Sequence, residues 1–340
     1  MNIESLVRPN IRILKAFSSA RSEFSGKADI WLDANENPFD NGLNRYPDPF
    51  QSELKKAIGL RKGFSKDQIF IGNGSDEIID LLIRVFCIPG KDSLAYMDPS
   101  FSMYRVMADA NDIKKIEVPL DKDFDLDVQG FAQEEVINAK IIFLCSPNNP
   151  VGNLLSRDRV LDVIRKSNGL VVIDEAYIDF TSSPSYIELI KEYNNVVVLQ
   201  TLSKAYGAAG LRIGMCFASA EVISFLNKIK TPYNVGSLVQ REALNILSAE
   251  DERQRQIALI LSERERLVAA LEDLPIVERV FPSETNFIMA RFKNHDKVLS
   301  NLLENGIVVR DRSKERGCEG CLRITIGQIH ENDKLLKLLQ

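Results

Sequence analysis

The period of apolar and polar positions changes along this 340-residue chain. Between residues 69 and 218, short apolar runs alternate with stretches of helical spacing. The runs fall at 69–71, 93–96, 113–118, 141–145, 170–173, 196–199 and 213–218, and several are rich in Val and Ile. Runs of this length and composition, broken by Gly, Pro, Asn and Asp, predict buried strands. Strands that alternate with helices predict a mostly parallel sheet covered on both faces. Seven such runs fit one large α/β domain.

Near Pro232 the texture changes. Helical spacing returns at 236–247 and 252–274, the second stretch rich in Glu and Arg. Short strands are predicted at 277–281, 287–292, 307–310 and 322–326, with helices at 297–305 and 331–339. That is a smaller α+β domain. The expected division is an amino-terminal arm at 1–28, a large domain at 29–234 and a small domain at 235–340. In the arm, the apolar residues at 11–14 and Phe17 predict a short helix or strap that docks by a few side chains. Residues 30–32 read as a short strand, and 50–60 as a helix.

Composition narrows the function classes. Hydrophobic residues make up 45% and charged residues 27%, the balance of a globular protein. The net charge of −5, with no block of like sign, argues against nucleic acid as a partner. No apolar run approaches the ~20 residues that span a bilayer, and the first residues lack the apolar centre of a signal peptide. The five cysteines are scattered and odd in number, which fits a reducing cytoplasm. Cys318 and Cys321 form a single CxxC; with two histidines in the chain and no second CxxC, no metal site is expected.

The candidate chemistry sits at strand ends. Lys204 follows the 196–199 run, among Ala205, Gly207, Ala208, Ala209 and Gly210, which leave room for a flat ligand. Open α/β sheets bind ligands beyond the carboxyl ends of their strands, and a desolvated lysine amine attacks carbonyls to form Schiff bases. Gly74, Ser75 and Asp76 follow the 69–71 run and open a helix, with Ser75 as the expected N-cap. A helix start favours a phosphate through free N–H groups and the dipole. Asn149 sits in a stiff loop after the 141–145 run, with an amide free for a ring hydroxyl. Asp174 ends the 170–173 run, where a carboxylate can keep a pyridine nitrogen protonated. Tyr177 lies three residues on. Each feature also occurs as an ordinary cap or turn. Taken in order, phosphate loop, asparagine, aspartate and lysine are the parts needed to hold pyridoxal phosphate.

The motifs SPNNPVG at 146–152, VVIDEAYIDF at 171–180 and TLSKAYGAAGLRIG at 201–214 resemble the fold-type I aminotransferases. LVRPNIRILKAFSSAR, WLDANENP, NRYPDP, SETNFIMARF, GIVVRDRS and GCLRITIG extend the resemblance over nearly the whole chain, toward the histidinol-phosphate aminotransferases of histidine biosynthesis. The resemblance implies a pyridoxal-phosphate enzyme that transfers an amino group from L-histidinol phosphate to 2-oxoglutarate, giving imidazole acetol phosphate and glutamate. It implies that Lys204 carries the Schiff base, Asp174 pairs with the ring nitrogen, and Asn149 and Tyr177 bond the ring 3-oxygen. Ser75, Asp76, Ser203 and Arg212 would hold the cofactor phosphate, with Tyr46 reaching it from a second subunit of a homodimer. Phe101 would stack on the ring. Arg310 and Arg323 would take the anionic end of the substrate, with Asn35 close by. Two positions depart from the family pattern. Phe17 stands where some relatives carry a tyrosine near the substrate phosphate, and Val151 replaces the usual threonine of the loop. Aromatic aminotransferases and decarboxylases of phosphorylated amino acids are the alternatives, with a non-enzymatic module as the third.

Overall fold

The computed structural model describes residues 1–340. The predicted runs form strands β1 (Ile69–Asn73), β2 (Ser93–Asp98), β3 (Lys114–Pro119), β4 (Ile141–Cys145), β5 (Leu170–Asp174), β6 (Val196–Thr201) and β7 (Ile213–Phe217). They join in one sheet in the order β1-β7-β6-β5-β4-β2-β3. The pairs β3–β2, β2–β4, β4–β5 and β5–β6 are parallel, whereas β7 runs against both β6 and β1. Every residue of β4, β5, β6 and β7 is buried. Burial on both faces explains why these strands read as continuous apolar runs rather than as alternation.

The register lines up the strand ends that matter. Cys145 pairs with Asp174, Thr201 with Gly214, and Asn73 with Ile213. The carboxyl ends of β1, β4, β5 and β6 and the start of β7 therefore meet along one edge of the sheet. The loops that follow them carry the predicted chemistry.

The second sheet is antiparallel, in the order β10-β11-β9-β8, and contains β8 (Val277–Val280), β9 (Phe287–Phe292), β10 (Arg310–Asp311) and β11 (Cys321–Thr325). The helices Glu250–Glu272, His295–Glu304 and Ile329–Leu339 accompany it. Leu267, Leu271, Ile288, Leu302, Ile324 and Leu335 form its own core. The architecture is thus a large, mostly parallel α/β unit with a smaller α+β unit, as expected for fold type I. The helix Ser237–Ser248 packs its Ala243 and Leu247 into the core of the large sheet, together with Val235.

Three local expectations are corrected. Residues 30–32 form no strand: Ile30 is 77% and Leu32 is 91% exposed, and neither finds a partner strand. The arm docks through Ile3, Val7 and Ile11, while Ile13, Leu14 and Phe17 stay exposed. The strand predicted at 307–310 pairs only over Arg310–Asp311, because Ile307 and Val309 pack on the small core before the pairing begins.

Candidate active site

At the shared strand edge lies a cavity of about 490 Å³, lined by Ser75, Asp76, Phe101, Asn149, Asp174, Tyr177, Ser203, Lys204, Arg212, Arg310 and Arg323. The volume lies within the roughly 300–1,000 Å³ of small-ligand sites. Both sheets contribute to it, since Arg310 and Arg323 come from β10 and β11.

The cradle at one end is built from backbone. The helix Gly74–Phe86 starts one residue before Ser75, so Ser75 sits inside its first turn rather than at the N-cap. Asn73 takes the cap position, but its side chain donates to the Asn234 carbonyl instead. No side chain caps this helix, so its first-turn N–H groups after Gly74 are available to an anion. Arg212 adopts a left-handed conformation, with φ of 55°. Its carbonyl accepts the Gly74 N–H at 2.8 Å and its guanidinium pairs with Asp76 at 3.1 Å. Gly74 has φ of +74°, and a Cβ there would strike the Arg212 guanidinium. A Cβ on Gly214 would lie 2.5 Å from the Ser75 nitrogen. Gly214→Ala is therefore expected to displace this turn; strain of about 1–3 kcal/mol should raise the cofactor dissociation constant by roughly five- to 150-fold. Equilibrium titration of the cofactor-free variant with pyridoxal phosphate reads this, and unchanged affinity would contradict it.

Asp174 is 3% exposed, at the end of β5. Its Oδ2 accepts the Tyr104 hydroxyl at 2.8 Å and its Oδ1 accepts the Ala176 N–H at 3.1 Å. Burial pushes its carboxyl up to about 6, against the lowering by these two donors. Tyr104 is itself fully buried, stacked on Phe143 at 4.6 Å and edge-on to Phe101 at 5.7 Å. Among the described residues, no cation lies in ion-pair reach of this carboxylate.

Lys204 opens onto the cavity, with its Nζ 5.6 Å from the Tyr177 ring centroid. Its ammonium makes no hydrogen bond or ion pair among the described residues. Partial desolvation, and then Arg323, lower its ammonium below the usual lysine range. Burial raises the Tyr177 phenol. Asn149 is buried, and its Oδ1 accepts from Arg323. Burial, reinforced by Arg312, lowers the Arg323 guanidinium.

Known proteins resemble the chain over nearly its whole length. The model for "Aminotransferase class I and II" matches residues 25–339. The chain belongs to the class I and II aminotransferase family. A histidinol-phosphate aminotransferase of Parabacteroides distasonis is 49% identical over 339 residues, covering 100% of this chain and 98% of that protein. The crystal structure of the histidinol-phosphate aminotransferase from Clostridium acetobutylicum superposes with a TM-score of 0.80 at 26% identity, covering 87% of this chain and 90% of that one. The fold is also that of the Sinorhizobium meliloti enzyme solved with pyridoxal-5'-phosphate (TM-score 0.79, 24% identity, covering 87% and 82%).

Within this aminotransferase, four predicted site residues do not line the cavity: Gly74, Tyr46, Phe17 and Asn35. Gly74 lies beneath Arg212 as backbone. Tyr46, Phe17 and Asn35 are exposed on the arm side. Tyr46 stacks on Tyr233 at 4.5 Å, and Glu36 fixes its backbone N–H at 2.6 Å while pairing with Arg21 and Arg45. Val151 is buried with Phe124, Phe281, Met289, Cys318 and Cys321. This cluster makes both thiols interior packing groups. Among the described residues, no group of three or more His, Cys, Asp or Glu side chains could hold a metal ion, and no helix is long and apolar enough to cross a membrane. Sequence reasoning missed Arg312, Tyr104, Cys145 and Thr201. Arg312 was legible in principle, because residues i and i+2 of a strand share a face.

Proposed function

We propose that this chain is a pyridoxal-phosphate-dependent transaminase of L-histidinol phosphate, with 2-oxoglutarate as acceptor and imidazole acetol phosphate and glutamate as products, acting in histidine biosynthesis. The observation that carries the reading is one cavity that joins Asp174, Lys204, an uncapped helix start and Arg323. The site fits the cofactor. Among the described residues, the buried carboxylate lacks a cationic partner and the lysine ammonium an ion-pair partner, and the glycine cradle leaves first-turn N–H groups after Gly74 open.

Ser75, Asp76, Ser203 and Arg212 would hold the cofactor phosphate, partly through backbone N–H groups. Asp174 would keep the ring nitrogen protonated, with Tyr104 fixing the carboxylate. Asn149 and Tyr177 would bond the ring oxygen, and Phe101 would cover the ring. Pyridoxal phosphate, when bound, supplies an electron sink for negative charge that develops on the substrate carbon. Lys204 would hold the cofactor covalently between turnovers, and its Nζ, once free, would take the proton from the substrate carbon as base and deliver it as acid to the cofactor carbon it had occupied. Its lowered basicity gives a larger neutral fraction near pH 7 than an ordinary lysine has. Arg323 and Arg310 bind the anionic end of either substrate, because a guanidinium fork fits carboxylate and phosphate alike.

The active form is a cytoplasmic homodimer in this reading. Exposed Ile13, Phe17, Ile30, Leu32, Phe39 and Tyr46 crowd one stretch of chain, and large exposed apolar patches mark interfaces. Tyr46 would reach the cofactor phosphate of the second copy. Histidinol phosphate, phenylalanine and threonine phosphate assayed with and without 2-oxoglutarate test the assignment. Turnover of histidinol phosphate that requires 2-oxoglutarate is expected. Preference for phenylalanine, or carbon dioxide release without an acceptor, would overturn it.

A further inference from the structure

Arg312 faces the same cavity as Arg310 and Arg323. Arg310 pairs with Arg323 across β10 and β11, and the Arg312 N–H continues the pairing by donating to the Cys321 carbonyl at 3.0 Å. Residues two apart on an extended strand point to one side, which accounts for Arg310 and Arg312 opening onto the same space.

The three guanidiniums are not equivalent. Arg323 is tied to Asn149, beside the cofactor-ring groups. The Arg310 guanidinium is exposed and makes no hydrogen bond or ion pair among the described residues. Arg312 is 11% exposed and donates through Nη1 to Glu315. Its Nε is buried without a partner, and so is the second oxygen of Glu315. Unpaired buried polar groups are rare in native proteins and call for an explanation. Arg312 and Arg310 also depress the Arg323 guanidinium, so the cations are crowded at a cost that a bound anion would offset.

The two substrate classes differ in reach and charge. In an amino acid the carboxylate carbon is bonded directly to the carbon that bears the amine. In a phosphorylated amino alcohol, a methylene and an ester oxygen intervene before the phosphorus. A phosphomonoester carries close to two negative charges at neutral pH and three terminal oxygens. A carboxylate is satisfied by one guanidinium fork; a phosphoryl group has an oxygen to spare and extends further out.

We infer that Arg312, braced by Glu315, is the specificity-determining cation of this cavity: it joins Arg323 and Arg310 at the phosphoryl end of a phosphorylated amino substrate and takes no part in binding the α-carboxylate of the amino-acid partner. The inference rests on the transaminase reading of the site. Glu315 is a positioning residue, since it acts through Arg312.

The test uses the holoenzyme and two probes that cannot react, glycerol 3-phosphate and succinate, titrated against the cofactor absorbance. The two half-reactions are then followed separately with histidinol phosphate and with glutamate. Arg312→Gln should weaken glycerol 3-phosphate, and raise KM for histidinol phosphate, by about tenfold or more, the size of one charge-assisted hydrogen bond. Succinate binding and the glutamate half-reaction should stay within about twofold, inside the scatter of ordinary surface changes. Arg312→Lys keeps the charge without the fork and should fall between wild type and Arg312→Gln; it also reads the same ratio if Arg312→Gln folds poorly. Glu315→Gln should shift the probes in the same direction by less. Equal weakening of both probes, or of neither, overturns the inference. Wild-type enzyme that binds glycerol 3-phosphate through Arg312 but does not convert histidinol phosphate would sink the substrate assignment alone.

Discussion

Lys204→Ala is expected to abolish transamination, with turnover falling by at least about 10⁴-fold, the upper range for removing a general acid–base group. Borohydride should no longer fix the cofactor to the chain. Lys204 is the accessible amine of the cavity, faces Tyr177, and has no ion-pair partner that would hold it as a permanent cation. Partial desolvation and Arg323 weaken its hold on a proton, whereas Asp174 and Asp76 strengthen it. The folded value is the lower one, so this ammonium costs the native state stability at neutral pH and ceases to do so only as pH rises toward the ordinary lysine range. Removing it should leave the melting temperature of the cofactor-free protein unchanged or raised. Loss of activity together with retained stability separates a chemical role from a structural one. Continued covalent trapping in the variant would show that another amine carries the cofactor.

Much of this site was legible because its residues terminate buried strands. Lys204, Asp174 and Asn149 each follow an apolar run, and runs buried on both faces are the strongest signal a sheet leaves in a sequence. The strand ends were read short because Asp98, Asp174 and Thr201 are polar, although each is still in the ladder. Two failures have a common cause. Ile30 and Leu32, and Ile13, Leu14 and Phe17, are apolar but exposed within one chain, and a pattern of apolar residues records a need for cover without naming what supplies it. Tyr104 was invisible for another reason. It lies on a helix after β2 and reaches Asp174 seventy positions away in sequence, so no local spacing announces the contact. The N-cap assignment at Ser75 failed because the turn is set from outside the segment, by the Arg212 carbonyl on Gly74.

Asp174→Asn is expected to move the cofactor-free and the loaded protein in opposite directions. In the cofactor-free chain the carboxyl is buried and its pKa is raised from 3.8 to about 6. The native state then binds the proton more tightly than the unfolded chain does. Its contribution to stability is complete below about 3.8 and lost as pH rises through about 6. The gap corresponds to roughly 3 kcal/mol at about 1.36 kcal/mol per pH unit. Asparagine cannot ionise, so the cofactor-free variant should overtake wild type in melting temperature as pH passes about 6. The replacement fits the site: an amide oxygen can still accept the Ala176 N–H, and the amide nitrogen can donate to the Tyr104 hydroxyl, which both donates and accepts. In the loaded enzyme the sign reverses. A protonated ring nitrogen beside Asp174 would favour the ionised carboxylate, and the neutral amide would lose that pairing. Cofactor affinity should drop, and turnover should fall by about 10²–10⁴-fold, the scale of losing a fixed charge opposite a developing one. Melting curves from pH 4 to 8, with and without pyridoxal phosphate, read the stability crossing, and steady-state turnover reads the chemistry. A melting difference between variant and wild type that is flat with pH, or near-normal turnover in the variant, would remove Asp174 from the role that the rest of the site is arranged around.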